Sequence, residues 1–328
     1  MIEIASALAL NTVQDLGRRG QRHLGVGTAG AMDAPSLHLG NLLVGNLPGD
    51  AGIEVQTFPF ELRFLADARF AVTGAGCAAT LDGRPFLPWW RIRARRGQLL
   101  RLNPPARGAR AYVAVAGGID VPQVLGSRST DLRSGFGGFE GRFLQRGDRL
   151  PIGASAVAEA SRHEDFGLMP HAHALPLADS HDPHDSHDGV IKVRALRAGE
   201  HELFPAPMQR AFWESEWRVG HQSDRTGYRL SGPSLTPASR VEMRSYGVVP
   251  GLVQVPPGGQ PIVQLSDANT AGGYPKIATV IGADLWRLGQ ARAGARLRFV
   301  AVEWRQAVDA QRALDAFLAR AEAGIAAL

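Results

Sequence analysis

Cys77 is the only cysteine in this 328-residue chain, which excludes a disulfide framework and a thiolate metal cluster. Lysine is almost as scarce, with Lys192 and Lys276 the only two. Neither stands in a G-x-x-x-x-G-K-[ST] loop, so a P-loop nucleotide site is excluded. Lys192 lies in VIKVR, which lacks the flanking methionines of a biotin-carrying lysine. The G-x-S-x-G nucleophile elbow is absent too. No apolar run approaches the ~20 residues of a membrane-spanning helix. The opening MIEIASALAL carries Glu3 and no basic leader, so it reads as a first strand and a cytoplasmic location is expected. A net charge of +5 brings no nucleic-acid signature, because the basic residues are scattered and nearly all arginine.

The chain is rich in turn formers. Thirty-nine glycines and 21 prolines favour short strands and tight turns, and the length favours two domains. Three segments repeat one pattern, a glycine turn opening a short strand: RGQLLRL at 96–102, RGDRLPI at 146–152 and AGARLRFV at 293–300. VIKVRAL at 190–196 opens the second half with β-branched alternation. Asp33 is positioned to cap a helix over 35–44, stopped by Gly45 and Asn46. A terminal helix is expected from residue 302 onward, packed on the outside of the second domain. The expected division is a β-rich subdomain at 1–157, a His/Asp-rich linker at 158–189, a β subdomain at 190–301 and a helix at 302–328. In the linker His181, His184 and His187 recur every three residues beside aspartates, yet Pro183 forbids a regular helix that would align them. A solvated loop without a bound metal is the expectation there.

Four segments combine glycine and polar residues densely: 25–54, 126–138, 223–233 and 251–278. Glycine lets backbone N–H groups approach a ligand, so such loops can bind carboxylate, phosphate or a developing oxyanion. Any one of them alone reads better as a glycine-rich hairpin, and the occurrence of four in one chain shifts the balance. Arg128 and Arg225 could each grip a carboxylate, with Ser127, Ser129 and Thr130 adding hydroxyl donors. Asp131, Asp224 and Asp267 are candidates for a general base or for metal–phosphate contacts, and Tyr228 and Tyr274 for positioning or oxyanion binding. SDRTGYRL reads just as well as an Asp–Arg pair beside a packed tyrosine. Lys276, retained where arginine is otherwise used, is a candidate for its compact ammonium group. Cys77 has no base nearby in sequence and reads as a buried cysteine at a strand end.

Together, TVQDLGRRGQRHLGVGTAGAMD, GNLPGDAGIE, YVAVAGGIDVPQVLGSRSTDLRSGFGGFEGR, SDRTGYRL and LVQVPPGGQPIVQLSDANTAGGYP closely resemble the biotin-dependent carboxyltransferase family. That family is also called allophanate hydrolase subunit 2 or the C-type subunit of 5-oxoprolinase. The resemblance implies a mainly β chain of two cyclophilin-like β-barrel subdomains with few short helices and a C-terminal helix. It also implies polar site residues at Asp33, Glu54, Ser127, Arg128, Asp131, Asp224, Arg225, Tyr228, Gln254, Asp267 and Tyr274. Two positions depart from the family's usual wording: Thr226, where methionine is usual, and Asn269, where glutamine is frequent. The second shortens a polar arm of the DANTAGG loop, and Asn269 is still expected among the substrate contacts.

Relatives of this family transfer a carboxyl group from carboxybiotin to urea, or open 5-oxoproline to glutamate using ATP. Without a biotin carboxylase domain or carrier lysine, the chain fits the second branch. The implied activity is an amide hydrolase subunit, active only in a complex that uses ATP with Mg2+. The implied partners are a sister chain of the allophanate hydrolase subunit 1 type and a third lactam-utilisation protein. ATP phosphorylating the unactivated amide oxygen would create a better electrophile for water. The alternatives are a carboxyltransferase using a biotin carrier on another chain, and a non-catalytic regulatory partner of the sister subunit.

Overall fold

The computed structural model describes residues 1–155, 166–174, 189–239 and 243–327. They group into two units, one of residues 1–19, 29–174 and 317–328, the other of residues 20–28 and 175–316.

The first unit divides its strands between two sheets. One runs in the order Arg149–Leu150, Ile2–Ser6, Phe60–Phe64, Leu99–Leu102, Ala79–Leu81, Arg84–Phe86. The other runs Thr12–Gln14, Gly52–Val55, Arg107–Val115, Ala68–Gly76, Arg91–Ala94. Strand alternation decides what each face covers. Phe70, Val72, Val113 and Val115 enter the main core with Ile2, Ile4, Phe60, Leu62, Phe64 and Leu100. The intervening Ala71 and Ala114 face the other way, onto Leu43 and Val44. These two belong to the expected helix, which spans Ala34–Leu43 with Val44 as its C-cap. Asp33 caps it, accepting from the Ser36 amide at 3.0 Å, and Pro35 sits in the first turn.

The second unit is a closed seven-stranded barrel in the order Val190–Arg197, Lys276–Val280, Leu252–Gln254, Ile262–Gln264, Gly227–Ser231, Trp217–Val219, Arg296–Ala301. It closes where Val190–Arg197 pairs in parallel with Arg296–Ala301. Phe212, from the helix Ala206–Glu214, stacks on Phe299 with ring centroids 4.6 Å apart. The repeated turn behaves as expected: Gly97, Gly147 and Gly294 take φ of 90°, 91° and 84°, and a strand follows each. The mainly β expectation holds; among the described residues the second unit forms a closed barrel, whereas the first, also expected as a barrel, forms a six-stranded and a five-stranded sheet.

Two expectations meet a different outcome. The terminal helix, Trp304–Ala326, does not belong to the second unit alone, because residues 317–328 group with the first. Residues 166–174, expected in a solvated linker, are packed in the first unit. Gly167 bridges Trp90, the Leu168 amide donates to the Trp89 carbonyl at 2.9 Å, and His171 is buried. Apolar Phe166 and Leu168, which pack against Leu43, Val44, Ala71 and Ala114, supply the reason. His181, His184 and His187 lie outside the described residues. Cys77 is buried just after the strand Ala68–Gly76, and burial pushes its thiol up to about 11.

Candidate functional site

The hairpin of LVQV and IVQL builds the site. Val253 pairs with Val263 and Gln254 with Ile262. Gln264 is two residues beyond Ile262, so Gln254 and Gln264 are diagonal neighbours on one face, within reach of two long side chains. The Gln264 carboxamide N–H donates to Gln254 Oε1 at 3.0 Å. Val253 and Val263 take the opposite face and are fully buried. A register shift at Val253/Gln254 brings Lys276 opposite Gln254.

A cavity of about 360 Å3 lies on the glutamine face. Loop residues complete it: Asp224 and Thr226 from one glycine-rich loop, Asn269 and Tyr274 from another. Backbone bonds from Asp267 N to Arg225 O and from Leu265 N to Thr226 O, both 3.0 Å, stitch the two loops together. A buried ion pair reinforces them, with Arg225 Nε and Nη2 donating to the two Asp267 oxygens at 2.9 Å each. Arg22 adds a third strut by donating to the Asn269 carbonyl at 2.8 Å. Asp224 accepts from the Thr226 amide at 2.8 Å and so shapes its own turn.

The remaining expected residues of this unit sit around the cavity without lining it. Gly227 pairs with Gln264 and Tyr228 with Val263, so Tyr228 shares the valine face. Its hydroxyl donates to the Ala291 carbonyl at 3.0 Å. Lys276 Nζ donates to the Gly272 carbonyl at 3.0 Å and lies 3.3 Å from the Tyr246 ring centroid. Burial lowers the Lys276 pKa, opposed by the Glu200 carboxylate. Glu200 accepts from the Tyr246 hydroxyl and, at 3.0 Å, from the Lys276 amide. Burial and then Glu200 raise the Tyr246 hydroxyl. Gly272 lies between the lysine and the glutamines, where a Cβ would fall 2.5 Å from Gln254 Nε2.

In the first unit the expected residues are engaged by other groups of the same unit. Asp15 gathers the GSRST loop: its carboxylate accepts from the Gly17 amide, the Ser127 and Ser129 hydroxyls and the Arg128 amide, at 2.5–2.8 Å. Arg128 donates to Val121 O and to Asp120, both at 2.8 Å. Asp131 accepts from the Ser134 amide at 3.0 Å. Glu54, level with Thr12 and Tyr112 across the sheet, accepts from the Tyr112 hydroxyl and the Met32 amide at 2.8 Å each. The Tyr112 hydroxyl accepts from the Asp33 amide at 2.8 Å, and burial followed by Glu54 and Asp33 raises it well above the usual phenol.

Sequence reasoning therefore named Gln254, Asn269, Tyr274 and Asp224 at the cavity, and missed Gln264 and the organising Asp15. Gln264 had a signal. LVQV and IVQL repeat V-Q at a spacing of ten, and a glutamine inside a buried apolar strand needs a polar partner. Asp15, isolated in TVQDLG, had none.

A two-sheet unit and a closed barrel with glycine-rich loops around a polar cavity define the class, and the chain belongs to the carboxyltransferase domain family, subdomains A and B, which matches residues 24–301. It is 42% identical to the C-type 5-oxoprolinase subunit of Escherichia coli (strain K12), covering 95% of this chain and 94% of that protein. It is 40% identical to the C-type 5-oxoprolinase subunit of Haemophilus influenzae, covering 97% and 96%. The crystal structure of the K. lactis urea amidolyase matches with a TM-score of 0.85 at 28% identity. That match covers 98% of this chain but only 20% of the urea amidolyase chain, so this chain spans about a fifth of its length.

Proposed function

We propose that this chain is the C-type subunit of an ATP-dependent 5-oxoprolinase, an amide hydrolase that opens 5-oxo-L-proline to L-glutamate and acts only with partner chains. Its similarity to the E. coli 5-oxoprolinase protein along 95% of its length carries the reading. The cavity supports it, since about 360 Å3 lined by carboxamides, hydroxyls and the charged Asp224 and Arg229 suits a small polar ring. The Arg225–Asp267 pair acts here as a positioning latch, and Tyr274 and Asn269 contact the substrate from the loop it holds.

The loops do not suit a triphosphate. The Arg128 amide and the Ser127 and Ser129 hydroxyls are engaged by Asp15, and the Lys276 ammonium by the Gly272 carbonyl. In this reading ATP and its Mg2+ belong to the sister chain of the allophanate hydrolase subunit 1 type or to the third lactam-utilisation protein. The match to urea amidolyase favours a second reading, a carboxyltransferase fed by a biotin carrier on another chain. Co-expression with both partner proteins, followed by ATP-dependent release of glutamate from 5-oxoproline, separates the two. The isolated chain should be inactive and the reconstituted assembly active. Robust turnover by the chain alone, or a complete assembly that carboxylates urea and ignores 5-oxoproline, would sink the proposal.

A further inference from the structure

Gln254 and Gln264 are each only 5% exposed, and both line the cavity. Their one mutual hydrogen bond engages two of their four polar atoms. Among the described residues, Gln254 Nε2 and Gln264 Oε1 have no partner and are buried. Folded proteins seldom leave such groups unsatisfied, because each one costs stability. The two orphans are also of opposite kind. Carboxamide oxygen and nitrogen are assigned from their hydrogen bonds. Turning both amides over reverses their mutual bond, and one N–H and one carbonyl oxygen still remain.

A carboxylate offers acceptors alone and would meet the free carbonyl oxygen unfavourably. A ketone, ester or lactone lacks a donor, and an ammonium group lacks an acceptor. An amide edge, with C=O and N–H side by side as in a lactam or urea, satisfies both. The face is held ready for it: Gly227 places no side chain opposite Gln264, and Gly272 leaves room for the Gln254 carboxamide. We propose that the Gln254–Gln264 pair reads the amide edge of the substrate, one glutamine donating to its carbonyl oxygen and the other accepting from its N–H. The pair then determines specificity for amides over esters, and that the amide is a lactam rests on the 5-oxoprolinase reading.

The test is calorimetric binding to the purified full chain of 5-oxoproline, its N-methyl derivative, the corresponding lactone carboxylate, and urea. The lactone and N-methyl compounds should bind about tenfold or more weakly than the lactam, because each leaves a buried acceptor unpaired. Gln264→Leu, which removes the acceptor, should erase that preference. Equal binding of lactam and lactone by the unaltered chain, or no binding of any of the four, overturns the proposal whether or not the variant folds. Turnover of 5-oxoproline by the reconstituted assembly alongside equal lactone affinity would discard the glutamine pair and leave the function standing. Binding of urea with exclusion of 5-oxoproline would keep the pair as an amide reader and discard the oxoprolinase reading.

Discussion

In the first unit the Asp15 carboxylate draws in two serine hydroxyls and two backbone N–H groups, whereas in the barrel Gln254 and Gln264 leave a donor and an acceptor unpaired among the described residues. Both regions belong to glycine-rich segments dense in polar side chains, and their sequences look alike. What separates them is whether a buried internal charge consumes the loop's hydrogen bonds. Asp15 does so for GSRST, and Glu54 does so for the Tyr112 hydroxyl. In the barrel the carboxylate Asp267 is paired with Arg225, and two neutral amides of the same hairpin region keep one donor and one acceptor unpaired among the described residues. A loop that satisfies itself builds the fold, and one that stays unsatisfied is ready to bind.

The sharpest challenge to that contrast is Asp15→Ala, which strands several buried donors. It should destabilise the chain by about 3 kcal/mol or more, a fall of roughly 6–12 °C in melting temperature. A normal melting curve with lost turnover would instead put the chemistry in the first unit. Next comes Asp267→Asn, which removes the Asp267 charge from its buried pair with the Arg225 guanidinium. We expect a cost of about 2–4 kcal/mol, visible in the melting curve, with activity falling as the two loops loosen. Unchanged melting with abolished turnover would make Asp267 a catalytic base and end the latch interpretation.

Gly272→Ala is a finer probe. The added methyl group meets only the flexible end of Gln254, so stability should fall by about 1 kcal/mol at most while affinity for the lactam drops about tenfold. Titration calorimetry beside a melting curve reads both, and equal affinity would show that the Gln254 carboxamide lies outside the binding surface. The smallest effect concerns Cys77, a control for a buried group with no role. With its thiol pushed up to about 11, about one molecule in a thousand carries the thiolate at pH 8. Raising the pH increases that fraction until it passes the shifted value. Alkylation of the folded chain should therefore be very slow at pH 8, accelerate about tenfold per pH unit, and become fast at once on unfolding. Rapid labelling at pH 8 would place the thiol in an accessible, active environment.

Much of the local geometry was legible. The Asp33 cap, the Gly45 stop and the three glycine turns each act within a few residues, so propensity and capping chemistry suffice to read them. The motif wording carried the family in the same way. Side-chain fate was a different matter. Tyr228 looked as suited to a site as Tyr274, yet the pairing of Tyr228 with Val263 turns it onto the valine face, while Tyr274 lines the cavity. Ser127 and Ser129 looked like ligand donors because nothing local revealed that Asp15, more than a hundred positions earlier, would take their hydroxyls. Residues 166–174 looked like linker because their two histidines and Pro170 hid the few apolar contacts that hold them down.

Where strands, turns and helix ends fall, and which family the motifs belong to, thus came from neighbours along the chain. Which polar groups are spent inside the fold and which remain to meet a ligand came from strand register and from partners far apart in sequence. The reason is the range of the forces concerned. Backbone conformation responds to adjacent residues, but a hydrogen bond is satisfied only by whatever group the folded chain brings within about 3 Å.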